Sequence, residues 1–132
     1  MIIDDLGRTL TFEGFRGRSE RVAAGLRALG IGEGTVVSWQ LPTRLEAVVL
    51  SMALSRLGAV QNPIIHLYRE REVASLLRTT GASWYLHPGV WKQFDYKAMG
   101  EAITARQSDR EPVALLEVYD ALPEVRCWCS QT

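Results

Sequence analysis

Apolar and polar positions along the chain alternate between two periods, and each change of period marks an element. Residues 1–3 and 9–12 carry β-formers on either side of Asp4-Asp5-Leu6-Gly7, which predicts a small hairpin closed by an Asp and Gly turn. The spacing then becomes helical. Phe12, Phe15, Val22, Leu26 and Leu29 make one stripe broken only by Ser19, while Arg16, Arg18, Glu20, Arg21 and Arg27 fall on other faces. Thr11 suits the N-cap, Glu13 lies near the positive end of the helix, and Gly30 suits its stop.

Residues 35–41 read as a buried strand, which Pro42 bars from continuing as a central one. Thr43-Arg44-Leu45-Glu46 has the spacing of a capping box, in which the Thr43 side chain accepts from the first turn and the Glu46 carboxylate accepts from the N–H of the cap. The helix that follows, over 47–57, is apolar on most sides and requires cover on more than one face. Gly58 ends it. A short strand over 59–62, a third helix over 69–80 with Val73, Leu76 and Leu77 inward, a strand over 84–87, a fourth helix over 94–105 and a strand over 113–119 complete the reading.

Strand and helix alternate at about twenty to thirty residues per repeat, the interval that right-handed crossovers of a parallel sheet require. The fold class is therefore α/β: a partial doubly wound parallel sheet with flanking helices and a small N-terminal hairpin. No sequence repeat is visible, and no linker divides the chain before about Arg106.

Composition narrows the function classes. With 132 residues the chain can form one real core, and its 47% apolar and 23% charged content argues against disorder. Fifteen basic and fifteen acidic residues cancel, which removes any overall field for nucleic acid or an anionic membrane. The longest apolar run, 47–50 resuming over 52–54, falls far short of the ~20 residues of a membrane span. The first ten residues lack the pattern of a signal peptide, so the cytoplasm is the expected location. Cys127 and Cys129 stand one residue apart with no histidine near them, which is too few ligands at the wrong spacing for zinc.

Candidate chemistry is sparse. Gly30-Ile31-Gly32-Glu33-Gly34 is spaced like a phosphate cradle, but it leaves a helix and enters a strand, the reverse of what an anion-binding glycine loop needs. The only lysines are Lys92 and Lys97, and neither follows a glycine loop. His66 lies in a loop without a sequence partner; His87 ends a strand before Pro88-Gly89, a better position for function, yet both read as loop or packing histidines. Arg69-Glu70-Arg71-Glu72 reads as a solvated face at a helix start. Ser38, Ser51 and Ser55 lack the context of a hydrolase nucleophile. Trp39, Trp84, Trp91 and Trp128 with Tyr68, Tyr85 and Tyr96 are not interleaved with a basic stripe, so they read as packing residues. No residue is assigned as catalytic or as a metal ligand, and the cofactor-binding positions are unknown.

A series of segments in order carries a family resemblance. They are Arg8-Thr9-Leu10-Thr11-Phe12 running into the first helix, Gly30-Ile31-Gly32-Glu33-Gly34-Thr35-Val36-Val37, Leu41-Pro42-Thr43 with Glu46, Leu57-Gly58-Ala59-Val60, Asn62-Pro63-Ile64, Tyr68-Arg69-Glu70-Arg71-Glu72-Val73 and Thr80-Gly81-Ala82. Together they resemble the beginning of the adenylate-forming acyl-CoA synthetases, and the stretch from Tyr68 to Val73 looks most like the medium-chain and cyclohexanecarboxylate-type acid:CoA ligases. The resemblance covers residues 7–124 within an expected domain portion 1–124 and leaves 125–132 as an unmatched tail.

The resemblance implies an enzyme that joins a carboxylic acid to AMP with ATP and Mg2+, releases pyrophosphate, and passes the acyl group to CoA. The family's phosphate loop, its acidic ribose contact and its C-terminal lid with a catalytic lysine match no position here. The chain is therefore expected to be inactive alone and to need no cofactor by itself. Its expected partners are a carboxylic acid only in a complete enzyme, and otherwise a second copy or the remaining part of such an enzyme, because the apolar helix over 47–57 and an open sheet edge need cover. A small ligand-binding protein using the strand ends near Leu41, Asn62 and His87 is a third reading.

Overall fold

The chain closes into layers because the strands over 36–39 and 84–87 carry buried residues on both sides, so each face of the sheet demands helices. A computed structural model describes residues 1–119 and 121–125. Its elements are β1 (Ile2–Ile3), β2 (Thr9–Leu10), α1 (Phe12–Ala28), β3 (Val36–Trp39), α2 (Leu45–Arg56), β4 (Val60–Pro63), α3 (Glu70–Thr80), β5 (Trp84–His87), β6 (Val90–Trp91), β7 (Phe94–Asp95), α4 (Tyr96–Arg106) and β8 (Ala114–Glu117). β3, β4, β5 and β8 form a parallel sheet in the order β4-β3-β5-β8.

Alternation along β5 shows how the layers are assigned. Leu86 packs with Val22, Leu26, Val49, Leu50 and Leu54 of α1 and α2 on one face. Tyr85, one residue earlier, packs with Val73 and Leu77 of α3 and with Met99 and Ile103 of α4 on the other. The expected doubly wound sheet is thus present, with β1 and β2 as the expected antiparallel hairpin. The Asp4 carboxylate accepts from the N–H groups of Leu6 (3.1 Å) and Arg8 (2.8 Å), which closes the hairpin turn.

Local signals place most helix ends. Thr11 Oγ1 accepts from the Gly14 N–H at 3.0 Å, and Gly81 ends α3 with φ 68°, a left-handed conformation that costs glycine little. In the first helical stripe Val22 and Leu26 are buried, but Phe12 and Leu29 are exposed and Ser19 is buried. In α3, Val73 and Leu77 are fully buried and Leu76 only partly.

Two expectations need correction. The capping box at Thr43 and Glu46 does not form: the N-cap of α2 is Arg44, and no side chain caps it. Glu46 turns instead to Arg8, whose Nη1 and Nη2 donate to its two carboxylate oxygens at 2.9 and 3.1 Å, with Arg18 Nη1 at 3.8 Å. A bidentate guanidinium pair is a stronger partner for a buried carboxylate than one backbone N–H. Burial pushes the Glu46 carboxyl up, but the Arg8 hydrogen bonds and charge, with Arg18, hold it below its ordinary value. The second correction concerns the fourth helix, which begins at Tyr96 because Phe94 and Asp95 pair with Val90 and Trp91 in a hairpin. The turn residues Lys92 and Gln93 both have positive φ, 47° and 64°, where Asn-Gly is the usual signal. Asp95 Oδ1 then caps α4 by accepting from the Ala98 N–H at 2.9 Å.

After β8 the chain returns across α1. Leu122 enters the core, the Val125 N–H donates to the Arg21 carbonyl at 3.2 Å, and Glu124 accepts from Arg18 Nε at 2.9 Å and Arg21 Nε at 3.3 Å. Gly25 makes this crossing possible, since a Cβ there would lie 1.7 Å from the Pro123 carbonyl oxygen. Gly25→Ala is expected to lift residues 122–125 off α1 and destabilise the chain by about 1–3 kcal/mol, the usual cost of overpacking. Gly17→Ala on the same helix, where the nearest atom is the end of the Arg21 side chain at 3.5 Å, is expected to stabilise it by about 0.5–1 kcal/mol. Urea unfolding of the two variants checks the contrast.

Candidate functional site

In an open α/β sheet, ligands gather beyond the strand carboxyl ends where the strand order reverses. Here the chain leaves β3 for β4 on one side and returns to β5 on the other, so the reversal falls between β3 and β5. Gln40, the residue after β3, sits there fully buried. Its Nε2 donates to the carbonyls of Ile65 (2.8 Å) and Tyr68 (3.0 Å), and its Oε1 accepts from the Tyr85 hydroxyl (2.7 Å). Burial, reinforced by Tyr96, pushes the Tyr85 hydroxyl well above the usual phenol range, so it stays a neutral donor.

The loop held by Gln40 links β4 to α3 and carries the exposed side chains of Ile65, Leu67 and Tyr68. It is pinned from below by the Tyr96 hydroxyl, which donates to the His66 carbonyl at 2.8 Å, and by the His66 ring set edge-on to Trp91 with centroids 5.1 Å apart. Arg69 Nη1 donates to the carbonyls of His66 (2.8 Å) and Tyr68 (3.0 Å) while its guanidinium lies 4.1 Å from the Phe94 ring centroid. The charged motif expected to be a solvated face is thus divided among separate contacts. Arg69 stacks, Glu70 pairs with Arg106, and the Glu72 carboxylate accepts from the Arg69 N–H at 3.3 Å.

His87 ends β5 and is 2% exposed. Its Nδ1 accepts from the Gly89 N–H at 3.1 Å, and Glu117 lies opposite it in register on β8. The three strand ends named from sequence meet different fates: Leu41 enters the core, Asn62 Nδ2 donates to Ser38 Oγ at 2.9 Å, and His87 closes a turn. Ser55 Oγ donates to the Ser51 carbonyl at 2.9 Å. Gln40 is the residue that sequence reasoning passed over; a lone amide at the end of the apolar run Val36-Val37-Ser38-Trp39 was its only signal.

The glycine turn between α1 and β3 does not fit the phosphates of a nucleotide. Gly30 N–H donates to Arg27, Ile31 N–H to Leu26, Gly32 N–H to Thr35 Oγ1 and Gly34 N–H to Gly58, so these amides are already engaged within the protein. Among the described residues no group of three or more His, Cys, Asp or Glu side chains gathers as a metal site would require, and Cys127 and Cys129 lie outside them. No helix of the described residues is long and apolar enough to cross a membrane. An apolar groove of about 360 Å³ runs along α2, where Phe15, Trp39 and Leu41 face Val48 and Met52.

Burial holds the His87 imidazole below its ordinary value of 6.5 and Lys97 adds to this, against the opposing charges of Glu117, Asp95 and Glu101. Unfolding therefore takes up a proton in the window just below that value, and stability rises with pH there. Between pH 7.5 and about 5.5 the chain is expected to lose stability as pH falls, and His87→Gln is expected to flatten that slope. Urea midpoints measured across the range check it.

Comparison with known proteins places this geometry in a family. The AMP-binding enzyme family model matches residues 1–131. The 2-hydroxy-7-methoxy-5-methyl-1-naphthoate–CoA ligase of Streptomyces carzinostaticus is 32% identical over 98 residues, covering 74% of this chain and 18% of that protein. The 4-coumarate–CoA ligase 5 of Oryza sativa subsp. japonica is 39% identical over 77 residues, covering 58% of this chain and 14% of its own. The unliganded O-succinylbenzoate coenzyme A synthetase of Bacillus subtilis superposes with a TM-score of 0.74 at 23% identity, over 96% of this chain and 24% of that one, so the two share a fold. The chain thus spans less than a fifth of these curated relatives, and with a family model matched across nearly its whole length it belongs to the AMP-binding enzyme family.

Proposed function

We propose that this chain is the amino-terminal part of an ATP-dependent acid:CoA ligase and serves there as scaffold. The observation that carries the reading is the family match over residues 1–131 together with CoA ligases of which the chain spans 18% and 14%. In the complete enzyme the carboxylate of the substrate becomes part of an acyl-adenylate at the expense of ATP with Mg2+, which turns a poor electrophile into one with a good leaving group. CoA then takes the acyl group as a thioester. The naphthoate and coumarate named for the two relatives support an acid with an apolar body, and the resemblance around Tyr68–Val73 favours a medium-chain or alicyclic one. A cytoplasmic location belongs to the same reading.

This chain's own contribution is positional. Gln40 and Arg69 hold the loop bearing Ile65, Leu67 and Tyr68 at the strand ends, where an apolar wall would meet a ligand. The engaged amides of the glycine turn support inertness in isolation. The purified chain is expected to show no acid-dependent exchange of pyrophosphate into ATP. A chimera in which residues 1–124 replace the matching segment of a related CoA ligase is expected to retain thioester formation. Exchange by the chain alone defeats the inert reading, and a folded chimera without activity defeats the scaffold role.

The groove along α2 supports a second reading, a noncatalytic module that pairs with further family polypeptide. Val48 and Met52 are 40% and 41% exposed on a helix whose other faces are buried, and the relatives have ample further chain to cover them. Val48→Glu with Met52→Glu is expected to reduce self-association in sedimentation velocity without lowering the melting temperature. A parent chain that is monodisperse and monomeric at high concentration removes this reading.

A further inference from the structure

The two edges of the parallel sheet differ in kind. In the order β4-β3-β5-β8, β4 and β8 each have one neighbour among the described residues, so each leaves a row of backbone groups open. The N–H groups of Val60 and Ile64 donate to the Thr35 and Trp39 carbonyls at 2.8 Å, which puts Gln61 and Pro63 in the row that faces away from β3. At the other edge the N–H groups of Ala114 and Val118 donate to the Ser83 and His87 carbonyls at 2.9 Å, which puts Leu115 and Glu117 in the row that faces away from β5.

The β4 edge is blunted. Pro63 has no N–H, so the outward row of this strand keeps one donor, that of Gln61. Val60 is 53% exposed, and the Gln61 side chain is spent on Trp39 Nε1 (3.2 Å), the Ser51 carbonyl (2.9 Å) and Ser55 Oγ (2.9 Å). A proline among polar side chains is a usual guard of a sheet edge.

Nothing of this sort guards β8. Residues 113–118 read Val-Ala-Leu-Leu-Glu-Val, a nearly continuous apolar run of the kind that marks a parallel strand covered on both faces. Leu115 packs on the core beneath α3 and α4, Leu116 on the core beneath α1 and α2, and each is only partly buried. The one charge, Glu117, turns its carboxylate back over the bend after β5, where a Cβ on Gly89 would lie 2.6 Å from it. In the outward row both Leu115 and Glu117 keep an N–H and a C=O. Open main-chain groups of this kind select an extended polypeptide, and leucines on both faces ask that it be apolar on both sides.

We propose that β8 is an interior strand of a wider sheet: the remaining part of the ligase polypeptide lays an extended strand along it, apolar on both faces, while β4 stays the outer edge. The occupant rests on the reading of this chain as part of an acid:CoA ligase, since relatives of which it spans 18% and 14% have the further polypeptide to supply one. The groove along α2 takes no part in this contact.

Hydrogen exchange resolved to single amides by mass spectrometry tests it, in the full chain and in a related CoA ligase whose matching segment is replaced by residues 1–124. In the dilute chain alone, the Leu115 and Glu117 amides are expected to exchange quickly beside slower Leu116 and Val118. In the chimera they are expected to slow by about a hundredfold or more, while Gln61 stays quick in both. Glu117→Pro removes an outward N–H and no bond to β5, so the urea midpoint of the chain alone is expected to hold. In the chimera the same change is expected to cut the slowing at Leu115 by about tenfold, and Glu117→Ala, which keeps the N–H, to leave it intact. Slow exchange at Leu115 and Glu117 in the dilute chain, equal exchange there in the chain and the folded chimera, slowing at Gln61 instead, or full slowing in the Glu117→Pro chimera overturns the proposal. Slowing at these amides on concentrating the chain alone, to the level of the chimera, makes a second copy the occupant and overturns it too. A folded chimera with a protected β8 and no thioester formation defeats only the scaffold role, and an active chimera with an open β8 defeats only this inference.

Discussion

The amide of Gln40 is the constraint around which the strand ends of this chain are organised. One buried side chain joins β3 to Tyr85 on β5 and to two carbonyls of the loop after β4, so three successive parts of the sheet share a single group. Three of its four hydrogen-bonding positions, both N–H donors and one lone pair of Oε1, are used within the protein. Where water is excluded, losing one partner leaves the corresponding atom of the Gln40 amide unsatisfied at about 1–3 kcal/mol, which favours keeping the three contacts together. The loop that carries Ile65, Leu67 and Tyr68 consequently has a defined shape even though those side chains are exposed.

Charge does the corresponding work at the opposite end of the chain's path. Glu46 on α2 receives Arg8 from the hairpin and lies beside Arg18 of α1, and Arg18 in turn reaches Glu124 on the returning segment. The network links elements far apart in sequence. It also explains why α2 does without its expected cap: a carboxylate surrounded by guanidinium groups has better partners than the N–H of its own first turn. Gly25 and Pro123 complete the join by steric means, since the returning chain passes where a side chain would stand.

These features suit the scaffold role proposed for the chain. Gln40 and Asn62 near the strand ends bond within the protein, the Ser38 and Ser55 hydroxyls are bonded to neighbours, and the amides of the glycine turn are engaged within the protein. Family membership gives this arrangement its context, because the chain spans only a small share of each relative. In the role proposed for it, the chain would contribute a set of strand ends and a shaped, partly apolar wall.

How much of this was legible beforehand follows from the range of each interaction. The alternation of strand and helix, the Thr11 cap, the Gly81 stop and the inward faces of Val73 and Leu77 depend on periodicity and on contacts within one turn, so the sequence by itself determined them. The hairpin around Lys92 and Gln93 was hidden because neither residue is a usual occupant of positive φ. The partners of Glu46, Gln40 and Arg69 lie at separations of 38 residues, of 25 to 45 residues and, for the Phe94 stack, on another element altogether. Only the tertiary structure could decide those, because a buried polar group takes the strongest partner that folding brings within reach, and local spacing carries no record of which one that is.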